Sequence, residues 1–196
     1  MKPMPLASTL VASILALAGA SSLAAGTITG SIPVAGAAEA ERTVVYVESA
    51  TTVTRGAAQR AKLLQKGARF SPAVLPIVSG TDVDMTNDDW VAHNVFSKSD
   101  VKPFDLGIYA PGGAKAVSFE RPGVVDVFCA IHPRMNAVIL VLQNPYFAKP
   151  DAQGQFTIDD IPAGSYTLRV YRLGVGSAAA QQQVKVATTG SATVKF

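Results

Sequence analysis

Along most of the chain apolar residues come in short runs, broken by Gly, Pro, Asn or Asp, and no long stretch keeps a helical period. Runs of this length, rich in β-branched residues and often alternating with polar ones, predict strands. Two open the pattern at 27–32 (TITGSI) and 43–48 (TVVYVE), joined by an Ala- and Gly-rich turn over 33–42. A polar linker at 51–58 follows, then extended pieces at 61–65 and 69–70 around a turn at Lys66-Gly67. The run 73–78 contains Pro76, which lacks a ladder donor and so predicts an edge or irregular strand. Residues 83–86 lead into a turn at Asn87-Asp88-Asp89, His93 begins a strand to Ser97, and 99–111 reads as loop. Strands are expected at 115–119 and 124–128. The nearly continuous apolar run 137–142 (AVILVL) has the length and branching of a buried strand rather than a helix.

The tail adds strands at 155–158, 165–171, 182–186 and 191–196, with turns at 151–154 and 159–164. Some 50 residues bury too little surface to be stable alone, and the two strands at 27–48 lack partners nearby. The expectation is therefore an all-β protein in which these flanks form one sandwich and the middle of the chain is inserted.

The first residues add an export signal to this picture. Lys2 is the only charge before Glu39, and 10–18 (LVASILALA) is an apolar run too short to span a bilayer comfortably. Ser22-Leu23-Ala24 then offers the small residues read by signal peptidase. A leader over 1–24, cleaved after Ala24 or alternatively after Ala20, predicts a soluble periplasmic protein with no membrane span after cleavage. An uncleaved anchor is the competing reading.

The formal charge of +3 comes without a Lys/Arg cluster and gives no nucleic-acid footprint. Arg55, Arg60, Lys62, Lys66 and Arg69 are too dispersed for polyanion binding and read as a solvated face. The pairs Asp88-Asp89 and Asp159-Asp160 fall at expected turns, where Asp is favoured for backbone reasons over calcium or acid–base roles. Trp90 is expected to pack near the candidate site.

The chemistry concentrates in very few residues. The chain has one cysteine and two histidines. A single thiol in an oxidising compartment is either buried and inert or capped by a metal. Cys129 ends a strand, His132 follows three residues later and Met135 three after that, while His93 heads a distant strand. A lone Cys, His or Met in a β protein is ordinarily structural. Together, however, a thiolate, two imidazoles and a thioether form the mixed donor set that suits copper in both oxidation states. Zinc is the rival, but a thioether is outside its usual ligands.

His93-Asn94-Val95 followed by Cys129-x-x-His132-x-x-Met135 resembles the copper-site pattern of plastocyanins and amicyanins, and the short loop is most similar to amicyanin. A wider string resembles cupredoxin-like proteins of methylamine utilisation. It runs from Phe70-Ser71-Pro72 through His93–Ser97 and Phe104-Asp105-Leu106-Gly107 to Met135. Ala92 departs from the Pro common in plastocyanins. The flanks, with Gln155-Phe156-Thr157-Ile158 and Ile161-Pro162-Ala163-Gly164-x-Tyr166-x-Leu168, are similar to carboxypeptidase-regulatory or transthyretin-like modules.

The resemblance implies a cupredoxin Greek-key β-sandwich over 58–142, inserted in or packed beside a small transthyretin-like sandwich formed by 25–53 and 143–196. It implies one type 1 copper ion held by His93, Cys129, His132 and Met135, with Asn94 bonding across to the Cys-bearing loop. Electrons would pass through a partly exposed His132, with Ala130, Ile131 and Pro133 as the apolar surface around it. The expected function is a one-electron carrier, its partner a c-type cytochrome or a periplasmic dehydrogenase. A copper carrier or sensor without a redox partner, and a plain β-sandwich binding module, are the alternatives. No enzyme is expected, because copper oxidases and nitrite reductases need further His-rich centres and no histidine remains.

Overall fold

The computed structural model describes residues 25–48, 60–187 and 190–196. The expected leader at 1–24 and the linker at 51–58 lie outside these residues. Among the described residues no helix is long and apolar enough to cross a membrane.

The chain is almost wholly β. In order it forms β1 (Ala25–Ser31), the short helix α1 (Ala37–Glu41), β2 (Thr43–Glu48), β3 (Arg60–Gln65), β4 (Phe70–Ser71), β5 (Val74–Val78) and β6 (Thr81–Asn87). The middle continues with β7 (His93–Ser97), β8 (Phe104–Tyr109), β9 (Ala114–Phe119), β10 (Gly123–Phe128) and β11 (Asn136–Leu142). The tail adds β12 (Phe147–Ala148), β13 (Gln155–Pro162), β14 (Gly164–Arg172), β15 (Gly176–Val186) and β16 (Ser191–Lys195).

These strands make four sheets, ordered β4-β3-β6-β9, β5-β11-β10-β7-β8, β12-β2-β14-β15 and β13-β1-β16. Three apolar clusters lie between them. Leu63, Met85 and Phe119 from the first sheet meet Val95, Val127 and Ile139 from the second. Val74, Val138, Leu140 and Leu142 on the other face of the second sheet meet Val44 and Tyr171 of the third. Val45, Leu168 and Val170 of the third meet Ile28, Ile158 and Val194 of the fourth. The result is a stack of four β layers. It explains the apolar run of β11, because odd and even residues of a strand face opposite sides. Ala137, Ile139 and Val141 enter one core, and Val138, Leu140 and Leu142 enter the next.

Pro76 sits on β5, which is an edge of its sheet and pairs in parallel with β11. Three expectations need correction. The turn at 33–42 contains α1, whose Ala-rich run has the best intrinsic helix propensity. The loop at 99–111 contains β8, a largely exposed strand whose alternation is blurred by Gly107 but which pairs with β7 from His93 to Ser97. The turn at 159–164 is shorter, because β13 runs on to Pro162 through a bulge. Its register against β1 slips between Gly26 and Ile28, Asp160 takes φ 59°, and Thr27 Oγ1 donates to Asp159 Oδ1 at 2.9 Å. The two-residue strand β12, for which the sequence offers no signal, pairs with β2.

Candidate metal centre

Strand parity brings the candidate ligands together. In β10, Val125 and Val127 face the core, so the next inward position is Cys129. β10 pairs with β11 up to Phe128 opposite Asn136, leaving 129–135 as the connecting loop. Two backbone bonds tighten that loop: Met135 N–H donates to His132 O at 2.9 Å, and Cys129 N–H donates to Met135 O at 3.2 Å. β7 lies on the other side of β10, with Phe96 opposite Phe128, and places His93 at its head.

His93 Nδ1 and His132 Nδ1 are 3.1 Å apart, and Cys129 Sγ lies 4.0 Å from the first and 3.8 Å from the second. Among the described residues, these three form the one cluster of His, Cys or acidic donors close enough to share a metal ion. A point equidistant from all three atoms is about 2.1 Å from each, the length of a metal–imidazole bond and only slightly under that of a metal–thiolate bond. The rings meet edge to face, 4.8 Å between centroids. His93 and Cys129 are buried, and His132 is partly exposed. Met135 is buried in the same core cluster as Cys129.

His93 is held from behind. Its Nε2 lies 2.9 Å from Asp89 Oδ2. That oxygen also accepts the Ala68 N–H at 2.8 Å, and Asp89 Oδ1 accepts the Trp90 N–H at 2.9 Å. These bonds, the Ala68 N–H first and then His93 and Trp90, hold the Asp89 carboxyl down at about 2 even though the side chain is buried. With Nε2 donating to a carboxylate, a neutral His93 presents a bare Nδ1 lone pair towards Cys129. That is the tautomer a metal ligand needs. Asp89 was expected to be a turn acid only. The signal that could have found it is its place four residues before a histidine.

Asn94, pointing to the opposite side of β7, ties the loop down. Its Oδ1 accepts the Ala130 N–H at 3.2 Å, and its Nδ2 donates to Asp105 Oδ1 at 2.8 Å. Asp105 also accepts the Gly107 N–H, and this bond, then the one from Asn94, lowers its carboxyl below the usual range. Asp105 was missed because its segment read as loop. Tyr109, opposite His93 on β8, is pushed up to about 12 by burial and adds no charge to the site at ordinary pH.

Ala130, Ile131 and Pro133 are exposed on the loop around His132. Trp90 corrects the expectation of a packing residue: it is 85% exposed, because the turn at 88–92 puts its backbone, not its ring, into the Asp89 network.

Comparison with known proteins adds the following. The family model for polysaccharide lyase family 4, domain II, matches residues 137–194, less than half of the chain. No curated protein matches it. Among solved structures, the chain is 29% identical to a purple cupredoxin from Nitrosopumilus maritimus, over 41% of this chain and 98% of that one, with a TM-score of 0.39. It is 28% identical to a Cu-containing nitrite reductase from Thermus scotoductus SA-01, over 48% of this chain and 26% of that one, with a TM-score of 0.41. An amicyanin mutant in its Cu(I) form is 19% identical over 50% of this chain and 97% of that one, with a TM-score of 0.39.

Proposed function

We propose that this protein is a one-electron carrier in which His93 Nδ1, Cys129 Sγ and His132 Nδ1 would hold a single type 1 copper ion, with the Met135 thioether as a weaker fourth ligand. The observation that carries this reading is the convergence of two imidazole nitrogens and one thiol sulfur on a common point at bonding radius. A donor set of two nitrogens and one sulfur, with a buried methionine in the same core, fits copper in both oxidation states. Bound there, copper supplies reversible one-electron chemistry.

The chain's own residues do the rest. Asp89 fixes the ring of His93 and its tautomer. Asn94 and Asp105 fix the loop that carries Cys129 and His132, so three ligands arrive already placed. A pre-placed site changes little between oxidation states, which keeps electron transfer fast. His132, the partly exposed ligand, is the route to a partner, with Ala130, Ile131 and Pro133 around it. In this reading the protein is a carrier and no residue is catalytic. We place the copper-binding unit at 58–142 and read 25–53 with 143–196 as a transthyretin-like sandwich. Residues 1–24 serve as the leader that takes the protein to the periplasm. There its partners are redox proteins such as a c-type cytochrome or a dehydrogenase.

The test is reconstitution of the leaderless protein with Cu(II). One equivalent should give an intense thiolate-to-Cu(II) band in the red, a type 1 EPR spectrum and a reversible potential, all lost in Cys129→Ser. A colourless complex, or a colour that survives Cys129→Ser, rules the proposal out.

A further inference from the structure

Beside His132 runs a groove of about 980 Å³. Its walls come from α1 and its C-terminal flank, the turn between β3 and β4, and the 129–135 loop. Four cations from three separate parts of the chain line it: Arg42, Lys66, Arg69 and Arg134. Glu41 is the one acid in the lining, and its Oε1 accepts the Ala73 N–H at 3.3 Å. All four cations are exposed, and among the described residues none is in an ion pair. Arg60, Arg169 and Arg172, which lie outside the groove, each meet a carboxylate. In sequence these charges look dispersed. The fold gathers them around the exposed ligand.

We infer that this groove docks the acidic face of a redox partner protein, an inference that rests on the copper reading above. The surface has the anatomy of a transient interface. Ile131 and Pro133 beside His132 make a small apolar centre, and the cations form a charged rim. A small-anion pocket would instead converge buried donors on one point, whereas these four side chains are exposed to solvent. Unpaired rim charge steers a partner of opposite sign and speeds encounter while adding little to affinity. The added flank is part of the device, because Arg42 belongs to α1's C-terminal end and closes the wall opposite the copper loop.

The test uses the full mature chain in two arms. First, the paramagnetic anion hexacyanochromate(III) is titrated into the metal-free protein, and backbone amide broadening is read by NMR. Broadening should concentrate at Arg42, Lys66, Arg69, His132 and Arg134, and should vanish in the double variant Lys66→Glu/Arg69→Glu. Second, on the copper-loaded protein, the double variant should slow oxidation by hexacyanoferrate(III) about tenfold or more at low salt. Oxidation by the cationic tris(phenanthroline)cobalt(III) complex should not slow.

Broadening spread over the surface, or equal slowing with both oxidants, overturns the groove while the copper band survives. A clean map on a chain without a copper band overturns the proposal through its redox premise instead. Stoichiometric citrate binding in calorimetry at physiological salt would make the groove a small-anion site and also overturns it.

Discussion

Asp89 shows how much a single buried carboxylate can organise. It accepts two backbone N–H bonds and faces His93 Nε2, and together these hold its pKa at about 2 against an ordinary value of 3.8. A depressed carboxyl pKa makes stability present above the unfolded value and lost as pH falls through the folded one. The window is therefore from about pH 4 down to about pH 2. In the metal-free protein, Asp89→Asn should unfold at lower urea than wild type at pH 6, and the gap between the two should close as pH approaches 2. A gap of constant size across that range would mean that the charge on Asp89 is not what stabilises the fold. At this scale the convergence of His93, Cys129 and His132 was legible because rare residue types stood at telling spacings, while Asn94 was legible only through the resemblance. Asp89 and Asp105 were not, because Asp is common in turns and nothing local marks one that turns inward.

At the scale of elements, β1 is closely packed on both sides. Gly30 lies under Phe156 and Val194, so that a Cβ there would come within 2.6 Å of the Phe156 ring, the Val194 side chain and the Val194 carbonyl oxygen. β1 is the middle strand of its sheet, with β13 on one side and β16 on the other, so neither neighbour can give way alone. Gly30→Ala should cost about 1–3 kcal/mol or more, the usual penalty for forcing atoms into a packed core. Chemical denaturation would measure it, and an unchanged midpoint would show that the sheet opens more easily than its packing implies. Strands with a clean inside and outside were readable from the chain, as in β9 and β10. β8 was not, because it is mostly exposed and owes its form to the ladder with β7. The bulge in β13 was hidden for a related reason: it exists only in relation to the register of β1.

For the whole molecule, the decisive feature is the middle apolar cluster. Val74, Val138, Leu140 and Leu142 on one side, and Val44 and Tyr171 on the other, join two double-layered sandwiches into one stack. A shared apolar core makes the two halves unfold together. Leu140→Lys puts a charge into that seam and should split a single calorimetric transition into two, the half that holds His93, Cys129 and His132 remaining folded alone at some temperatures. A single transition in the variant would show that the halves are coupled elsewhere. The run AVILVL announced a buried strand, but not that it would serve two cores at once. That depends on a third sheet built from segments on both sides of it in the chain, Val44 before and Tyr171 after, which local pattern cannot reveal.

β16 lies parallel to β1, so residues 27–31 wait for residues 191–195. The strands from β3 to β11, which carry every proposed copper ligand, need nothing beyond residue 142 for their own ladders. Closing so long a loop is slow compared with pairing near neighbours. As the chain emerges, the half with the thiol can therefore fold and shield Cys129 before the outer sandwich is complete. The sulfur is sheltered early, and the sheet that joins β1 to β16 is completed last.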